Sequence, residues 1–195
     1  ELQICGSCRK FKHIECPDIP TIKRVNINGQ RHYQTPFGLC KSITASLHLL
    51  PLPPGLVEWR NKVGDDVADY VMNAGAIRGT KLHNIVESYL LNKTMQDLNR
   101  RFGVTAVGLF KLMQPALDKI NNIQCIEQSI FSRELRLAGT TDCIAEYDGV
   151  PSVIDFKSAS RMKEKHDISN HFMQATFYSI AWEECTGQKI EQIVV

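Results

Sequence analysis

The sequence predicts an α/β fold, because segments with strand signals alternate along the chain with segments of helical periodicity. The dipeptides Asn-Gly at 28–29 and Asp-Gly at 148–149 each separate two extended segments, which predicts two β-hairpins. Apolar residues recur at three- and four-residue intervals, which predicts amphipathic helices at 55–73, 78–90 and 169–187. At 195 residues the chain is long enough for one domain with a substantial core.

Composition is that of an ordinary globular protein, with 43% hydrophobic and 23% charged residues. No run of about 18 apolar residues occurs, so we expect no membrane partner. The net charge of +2 means that any nucleic-acid surface must be a local patch. We expect a monomer. The missing initiator Met and the apolar ending at 193–195 predict a domain truncated at its C-terminus.

The cysteines indicate a reducing compartment. There are seven, an odd number, and four stand among apolar or helical neighbours, where small buried thiols are expected. These four are Cys40, Cys125, Cys143 and Cys185.

A cysteine-rich segment at 1–20 is predicted to precede the main domain at 21–195. Its spacing, C-x2-C-x4-H-x2-C, could complete a tetrahedral zinc site formed by Cys5, Cys8, His13 and Cys16. The alternative is a disordered basic tail with free thiols. Both interpretations stay open from the sequence.

The hairpin at 138–157 carries the strongest chemical signal. Asp142 lies on its first predicted strand, and Asp155 and Lys157 lie two apart on the second, where they share a face. Ile154 and Phe156 then point into a core. Two carboxylates around one volume would suit a hard divalent cation, and a lysine beside it would stabilise charge on a phosphate. The simpler alternative is one solvated ion pair between Asp155 and Lys157.

The remaining elements are predicted from local signals. A short helix at 42–50 is stopped by the proline-rich 51–54, and 93–103 is interpreted as a polar connection. A helix at 105–121 should bend or break at Pro115. Strands are predicted at 123–137, where Glu127 is a possible further carboxylate of the site, and at 189–195.

Two pairs at helical i, i+4 spacing are candidate functional residues. His83 and Glu87 share a helix face, so His83 could bind a metal and Glu87 could orient it. Gln174 and Tyr178 could extend an amide and a hydroxyl into a cleft. The alternatives are a surface His–Glu pair and an ordinary core helix.

The segment 158–166, directly after Lys157, is polar and basic. Its simplest interpretation is a solvated loop, and its position also suits contact with phosphates. The predicted nucleic-acid contacts are Arg78, Lys81, Ser158, Arg161 and Lys163.

Four motifs occur in a recognisable order. They are R-G-x-x-x-H-x-x-x-E from Arg78 to Glu87, G-x-x-D from Gly139 to Asp142, apolar-D-x-K from Ile154 to Lys157, and Q-x-x-x-Y from Gln174 to Tyr178. In this order the chain resembles the RecB-like exonuclease branch of the PD-(D/E)xK nucleases, the branch of the mitochondrial genome maintenance exonucleases and their phage relatives.

The resemblance implies a restriction-endonuclease-like fold, with a mixed β-sheet core flanked by α-helices, and metal-dependent cleavage of DNA. His83, Asp142 and Asp155 would bind Mg²⁺ or Mn²⁺, with Glu87 or Glu127 in support. Lys157 would orient the attacking water, and Gln174 and Tyr178 would fix the scissile strand. The implied partner is DNA that is single-stranded or has free ends. The implied location is the cytoplasm of a bacterium or phage-infected cell, with the mitochondrion as an alternative.

Three other functions remain possible from the sequence. One is a structure-specific endonuclease on the same fold, which would need no free end. Another is a catalytically silent DNA-binding module, against which the complete set of Asp142, Asp155 and Lys157 argues. A third is a zinc-knuckle adaptor. An iron–sulfur cluster is not expected, because only Cys185 follows the core where such relatives have three cysteines.

Overall fold

The computed structural model describes residues 10–159 and 168–195. Within them, seven strands form one sheet in the order β1-β2-β3-β5-β6-β7, with β4 paired to β5. The strands are β1 (Lys23–Ile27), β2 (Gln30–Thr35), β3 (Gly38–Ser42), β4 (Ile120–Ser132), β5 (Leu137–Tyr147), β6 (Val150–Ile154) and β7 (Gln192–Val194). The β3–β5 and β6–β7 pairs are parallel and the others antiparallel. This mixed sheet flanked by helices confirms the predicted fold class.

Helices lie before and after the central hairpin. They are α1 (Ile43–Leu47), α2 (Pro54–Val63), α3 (Asp65–Leu90), α4 (Met95–Phe102), α5 (Val104–Phe110), α6 (Gln114–Leu117) and α7 (Ser169–Thr186). The end of α7 at a left-handed Gly187 confirms the predicted stop. Both predicted hairpin turns are confirmed, because Asn28-Gly29 and Asp148-Gly149 have positive φ angles at both positions.

The sheet has a hydrophobic cluster on each face. Cys143 and Ala145 of β5 pack with α3, α4 and α5, whereas Ile144 packs with α7. This follows from the strand period of two, which sends successive side chains to opposite faces. The C-terminal half of α3 is buried through Ile85, Val86, Tyr89 and Leu90, and α7 is buried through Ala175, Phe177, Tyr178, Ala181 and Trp182. The sheet is thus held between α3 and α7.

Helix boundaries differ from the predictions in three places. Two helices are predicted at 55–73 and 78–90, with a break between 73 and 78. The structure also has two helices here, but the break lies at Gly64, whose φ of +85° and ψ of 157° suit glycine. The predicted connection at 93–103 contains α4, which is capped by the Thr94 side chain and buries Leu98. The predicted helix at 105–121 breaks before Pro115, as expected, and its last residues belong to β4.

The single strand predicted at 123–137 is a hairpin, because β4 ends at Ser132 and β5 begins at Leu137. The Glu184 carboxylate of α7 holds this turn by accepting hydrogen bonds from the Ser132 hydroxyl at 2.6 Å and the Arg133 amide at 2.8 Å. Since Glu184 is more than 50 residues away in sequence, local signals could not reveal the turn.

Residues 10–20, assigned from sequence to a separate segment, pack onto the domain. Phe11 is buried against the Tyr89 ring, with centroids 5.1 Å apart. The Asn92 side chain bonds both backbone groups of Phe11, at 2.8 and 3.0 Å. Lys10 and Asp118 form an ion pair of 2.7 Å beside the Tyr89 hydroxyl. Residues 10–20 are therefore part of the packed domain.

Of the four predicted zinc ligands, only His13 and Cys16 lie in the described segments, so the zinc site stays a prediction. His13 Nε2 bonds the Leu90 carbonyl oxygen at 2.8 Å, and the Cys16 thiol contacts the Cys125 thiol. Cys5 and Cys8 lie outside the described residues. In the described part, His13 and Cys16 belong to no group of three metal-ligating side chains.

Across residues 10–159 and 168–195, every helix is too short or too polar to traverse a lipid bilayer.

Candidate functional site

The β5–β6 hairpin brings the two predicted aspartates together. Cys143 of β5 pairs with Ile154 of β6. Because the strands are antiparallel, Asp142, which precedes Cys143, lies opposite Asp155, which follows Ile154. The Asp142 Oδ2 atom accepts a hydrogen bond of 2.7 Å from the Phe156 amide. The predicted second strand is shorter than expected, because β6 ends at Ile154 and both Asp155 and Lys157 follow it. Ile154 and Phe156 are buried, as predicted.

Asp155 is a buried carboxylate with one charged neighbour. The residue is 2% exposed, and the Lys157 ammonium approaches its Oδ2 atom at 2.6 Å. The ammonium is thus the charged partner of Oδ2, whereas Oδ1 has no hydrogen-bond partner among the described residues. Buried carboxylates usually have such partners, so Asp155 is left with unused ligand capacity.

His83 and Glu127 complete a second group around Asp142. His83 projects from α3 with its Nδ1 atom 3.7 Å from Asp142 Oδ2, and its ring meets Phe156 edge-on. One ligand atom each from His83, Glu127 and Asp142 lie within 4.8 Å of one another. The sequence included Glu127 only as support, because its place beside Asp142 depends on the β4–β5 register.

The acidic groups have pKa values that reflect this crowding. Burial first, and the nearby Asp142 carboxylate second, raise the pKa of Asp155. Burial also raises the pKa of Asp142, against the opposing effects of His83 and Lys157. Glu127 lines the open cleft, yet partial burial of its carboxylate and the charge of Asp142 raise its pKa as well. The site is therefore short of positive charge.

The chemistry of the donor set fits a divalent cation. Carboxylate oxygens suit Mg²⁺ and Mn²⁺, and an imidazole nitrogen is an acceptable additional ligand for a transition metal. A cation here would offset the repulsion between Asp142 and its neighbouring carboxylates. Asp155, which the sequence also predicted as a ligand, stands next to the group of His83, Glu127 and Asp142 and is not part of it. The described residues contain this one group of three potential metal ligands.

A cleft of about 570 Å³ opens beside these groups, between α3 and the end of β6. Its lining includes Gly75, Gly79, Thr80, His83, Asn84, Glu87, Glu127, Lys157 and Ser158. A Cβ at Gly79 would be 3.3 Å from the Ser158 hydroxyl, so this glycine lets the loop after Lys157 approach the helix. Thr80 and Asn84 were not predicted, although their spacing from His83 and Glu87 on the helix could have indicated them.

The other predicted residues are not all at the cleft. Glu87 lines the cleft, and no hydrogen bond joins its side chain to His83 in the described structure. Arg78 is exposed, with its guanidinium directed toward Gly75 at the cleft, and Lys81 is exposed outside the cleft lining. Arg161 and Lys163 lie outside the described residues.

Gln174 and Tyr178 share one face of α7, as their i, i+4 spacing indicated, but the lining of the cleft beside α3 includes neither side chain. The Gln174 amide nitrogen donates to the Tyr178 hydroxyl at 2.9 Å. Tyr178 is 1% exposed, and its pKa is raised, first by burial and further by the charges of Asp142 and Asp155. The hydroxyl is therefore protonated at neutral pH and lies near both aspartates.

Gly139 makes room for Tyr178. A Cβ at position 139 would lie 2.8 Å from both Tyr178 Cε1 and Ile43 Cγ2. We expect Gly139→Ala to destabilise the protein by about 1–3 kcal/mol, because the core is overpacked at this point. The corresponding loss in melting temperature is roughly 2–4 °C for each kcal/mol. Gly108→Ala is the control, since nothing lies within 4 Å of its Cβ. An unchanged melting temperature for Gly139→Ala would contradict the close packing.

Comparisons with known proteins agree with this geometry. A family model described as the PD-(D/E)XK nuclease superfamily matches residues 58–193. Mitochondrial genome maintenance exonuclease 1 of Mus musculus is 28% identical over 113 residues, which cover 55% of this chain and 32% of that protein. The Homo sapiens protein of the same name is 27% identical over 128 residues, covering 63% of this chain and 34% of its own length. The matched region thus spans about a third of either relative.

Proposed function

Because the chain belongs to the PD-(D/E)XK nuclease superfamily, we propose that it is a divalent-metal-dependent deoxyribonuclease that degrades DNA from free, single-stranded ends. The observation that carries the proposal is the group formed by His83, Glu127 and Asp142 beside the Asp155–Lys157 pair. Both relatives are named as exonucleases, which supports the choice of an end-dependent reaction.

The cation would be held by His83 and Asp142, whose Nδ1 and Oδ2 atoms are 3.7 Å apart, and by Asp155, whose carboxylate lies near that of Asp142. Bound Mg²⁺ or Mn²⁺ would supply positive charge to stabilise the negative charge that develops on the phosphate oxygens. Glu127 lies in the same group, and Glu87 would support it from α3. The raised pKa values of Asp142 and Asp155 agree with a site that awaits a positive charge.

Lys157 would act on the reacting phosphate. Its ammonium is anchored at 2.6 Å to buried Asp155, while 28% of its side chain remains exposed. An anchored cation of this kind orients an attacking water and stabilises charge in the transition state without reorganisation. Water then forms a new bond to phosphorus as one ester oxygen leaves, and the leaving oxygen takes up a proton.

The substrate strand would enter through the cleft beside α3. The Gln174 amide and the Tyr178 hydroxyl near Asp142 would help fix the scissile strand, and the Ser158 hydroxyl and the Arg78 guanidinium would contact phosphates. The sequence also predicts phosphate contacts for Arg161 and Lys163, which lie outside the described residues. Contacts to phosphates read no base sequence, so we propose an enzyme without sequence preference. We further propose that it acts as a monomer.

End-labelled linear single-stranded DNA and a closed single-stranded circle test the proposal. Each is incubated with the chain in Mg²⁺, in Mn²⁺ and in chelator. We expect metal-dependent degradation of the linear DNA alone, because the circle has no end. Cleavage of the circle would favour an endonuclease on the same fold. DNA binding by a folded chain without any cleavage would contradict the enzyme and leave a binding module.

A further inference from the structure

Glu127 has a backbone conformation that is rare within a strand. Its φ angle is +52°, in the left-handed region, although Ile126 and Gln128 beside it both pair with β5. Other left-handed non-glycine residues of the described chain are in turns, at a strand irregularity or after a helix; they are Asn28, Asn92, Asn122, Arg136 and Asp148. This conformation is unfavourable for a residue with a Cβ, and the surrounding structure must maintain it.

Glu127 lies where the β4–β5 ladder is interrupted. The register of the flanking pairs sets Glu127 opposite Asp142, although these two residues are not themselves paired. Ile126 packs against the core cluster that contains Ile85 of α3, and Glu127 lines the cleft beside His83, also on α3. The distortion therefore falls at the residue whose carboxylate reaches the site.

The position is electrostatically unfavourable without a cation. The Glu127 carboxylate lies beside that of Asp142, and the charge of Glu87 is also close enough to affect it. In the same site, Asp155 is 98% buried, and its Oδ1 atom has no hydrogen-bond partner among the described residues. One bound cation would account for the strained backbone, the adjacent carboxylates and the unpartnered Asp155 oxygen.

We propose that Glu127 is itself a cation ligand, alongside His83 and Asp142, and that the left-handed backbone serves to place it. This inference rests on the proposed function and adds a ligand to it. Carboxylate ligands together with an imidazole suit Mn²⁺ better than Mg²⁺, because nitrogen ligands favour transition metals. We expect the native chain to bind Mn²⁺ more tightly than Mg²⁺.

Three variants separate the role of the carboxylate from that of the backbone. Glu127→Gln keeps the side-chain shape and removes the charge, and Glu127→Gly removes both the ligand and the backbone strain. Arg136→Gly is the matched control, because Arg136 is an exposed left-handed residue with φ of +53° in the turn between β4 and β5. Mn²⁺ affinity is measured by calorimetry, and melting temperature is measured in chelator.

We expect Glu127→Gln and Glu127→Gly each to weaken Mn²⁺ binding at least about tenfold, a loss typical of disrupted metal sites. Glu127→Gly should also raise the melting temperature in chelator by roughly 2–4 °C, since glycine adopts the left-handed region without strain. Arg136→Gly should gain similar stability and bind Mn²⁺ like the native chain. A role limited to folding would leave Mn²⁺ affinity unchanged in all three.

The nuclease assay distinguishes failure of this inference from failure of the proposed function. If the native chain cleaves DNA and Glu127→Gln binds Mn²⁺ with native affinity, Glu127 is not a ligand. If Glu127→Gln loses Mn²⁺ affinity but the native chain cleaves no DNA, the ligand assignment stands and the nuclease proposal falls. A native chain that binds no Mn²⁺ would overturn both.

Discussion

Lys157→Ala is expected to lower the rate of metal-dependent DNA cleavage by about 10²–10³-fold, the usual effect of removing one group that stabilises charge in a transition state. Lys157 is the cation that borders both the cleft and the buried Asp155 carboxylate. Because its neighbour is fixed inside the protein, the ammonium is already oriented before substrate binds. The described cleft lining contains no second lysine or arginine that could take its place.

Single-turnover cleavage of end-labelled single-stranded DNA in Mg²⁺ measures this effect apart from binding. Lys119→Ala is a suitable control, because Lys119 is an exposed lysine paired with Asp148 at the turn of the same hairpin. We expect the control to cleave at the native rate. Circular dichroism checks that both variants fold. If folded Lys157→Ala retained more than about a tenth of the native rate, its assigned role in the transition state would be wrong.

Asp155→Asn is expected to abolish cleavage and to stabilise the metal-free protein at neutral pH. The carboxylate is buried, its Oδ1 atom lacks a hydrogen-bond partner among the described residues, and Asp142 lies nearby. These conditions raise its pKa despite the attraction of Lys157. Replacing an unfavourable charge with a neutral amide removes the penalty, whereas loss of the ligand removes the chemistry. Such a trade between stability and activity is expected at a functional site.

The pH dependence has a definite sign. Because the pKa of Asp155 is higher in the folded than in the unfolded state, the folded state binds more protons in the window between the two values. The free energy of unfolding therefore falls as pH rises through that window, and the loss persists at neutral pH. Asp155→Asn should be more stable than the native chain at pH 7 in chelator, and the difference should vanish below the unfolded pKa of about 3.9.

Asp118→Asn is the same chemical change, and we expect it to have the opposite effect on stability. Burial acts to raise the pKa of Asp118, but hydrogen bonds from Lys10 and Tyr89 outweigh it and bring the pKa below its usual value. We therefore expect Asp118→Asn to lower the melting temperature at neutral pH. Thermal unfolding of both variants in chelator at several pH values provides the measurement. A native chain that is more stable than Asp155→Asn at pH 7 would contradict the charge penalty at Asp155.

Saturating Mn²⁺ should make the native chain more stable than Asp155→Asn. A cation that binds the folded state alone stabilises it by about 2.7 kcal/mol at one hundred times its dissociation constant. The native chain should gain this stabilisation in full, and Asp155→Asn should gain less because one ligand is neutral.

The local sequence was sufficient for the elements that depend on neighbouring residues. The Asp148-Gly149 turn, the stop at Gly187 and the break before Pro115 follow from backbone preferences, which act within a few residues. The i, i+4 spacing of Gln174 and Tyr178 likewise predicted a pair that the structure joins by a hydrogen bond. The motif order was sufficient to indicate the nuclease superfamily.

Other features depended on distant parts of the chain. The turn after Ser132 is held by Glu184, and Phe11 is buried by Tyr89 and Asn92, contacts that no sequence window contains. The place of Glu127 required both the β4–β5 register and a left-handed residue that its side-chain type does not favour. By itself, the sequence determined the fold class and the residues capable of the chemistry. Only the tertiary structure decided which of them share one volume, because that depends on strand register and on the packing of α3 and α7 against the sheet.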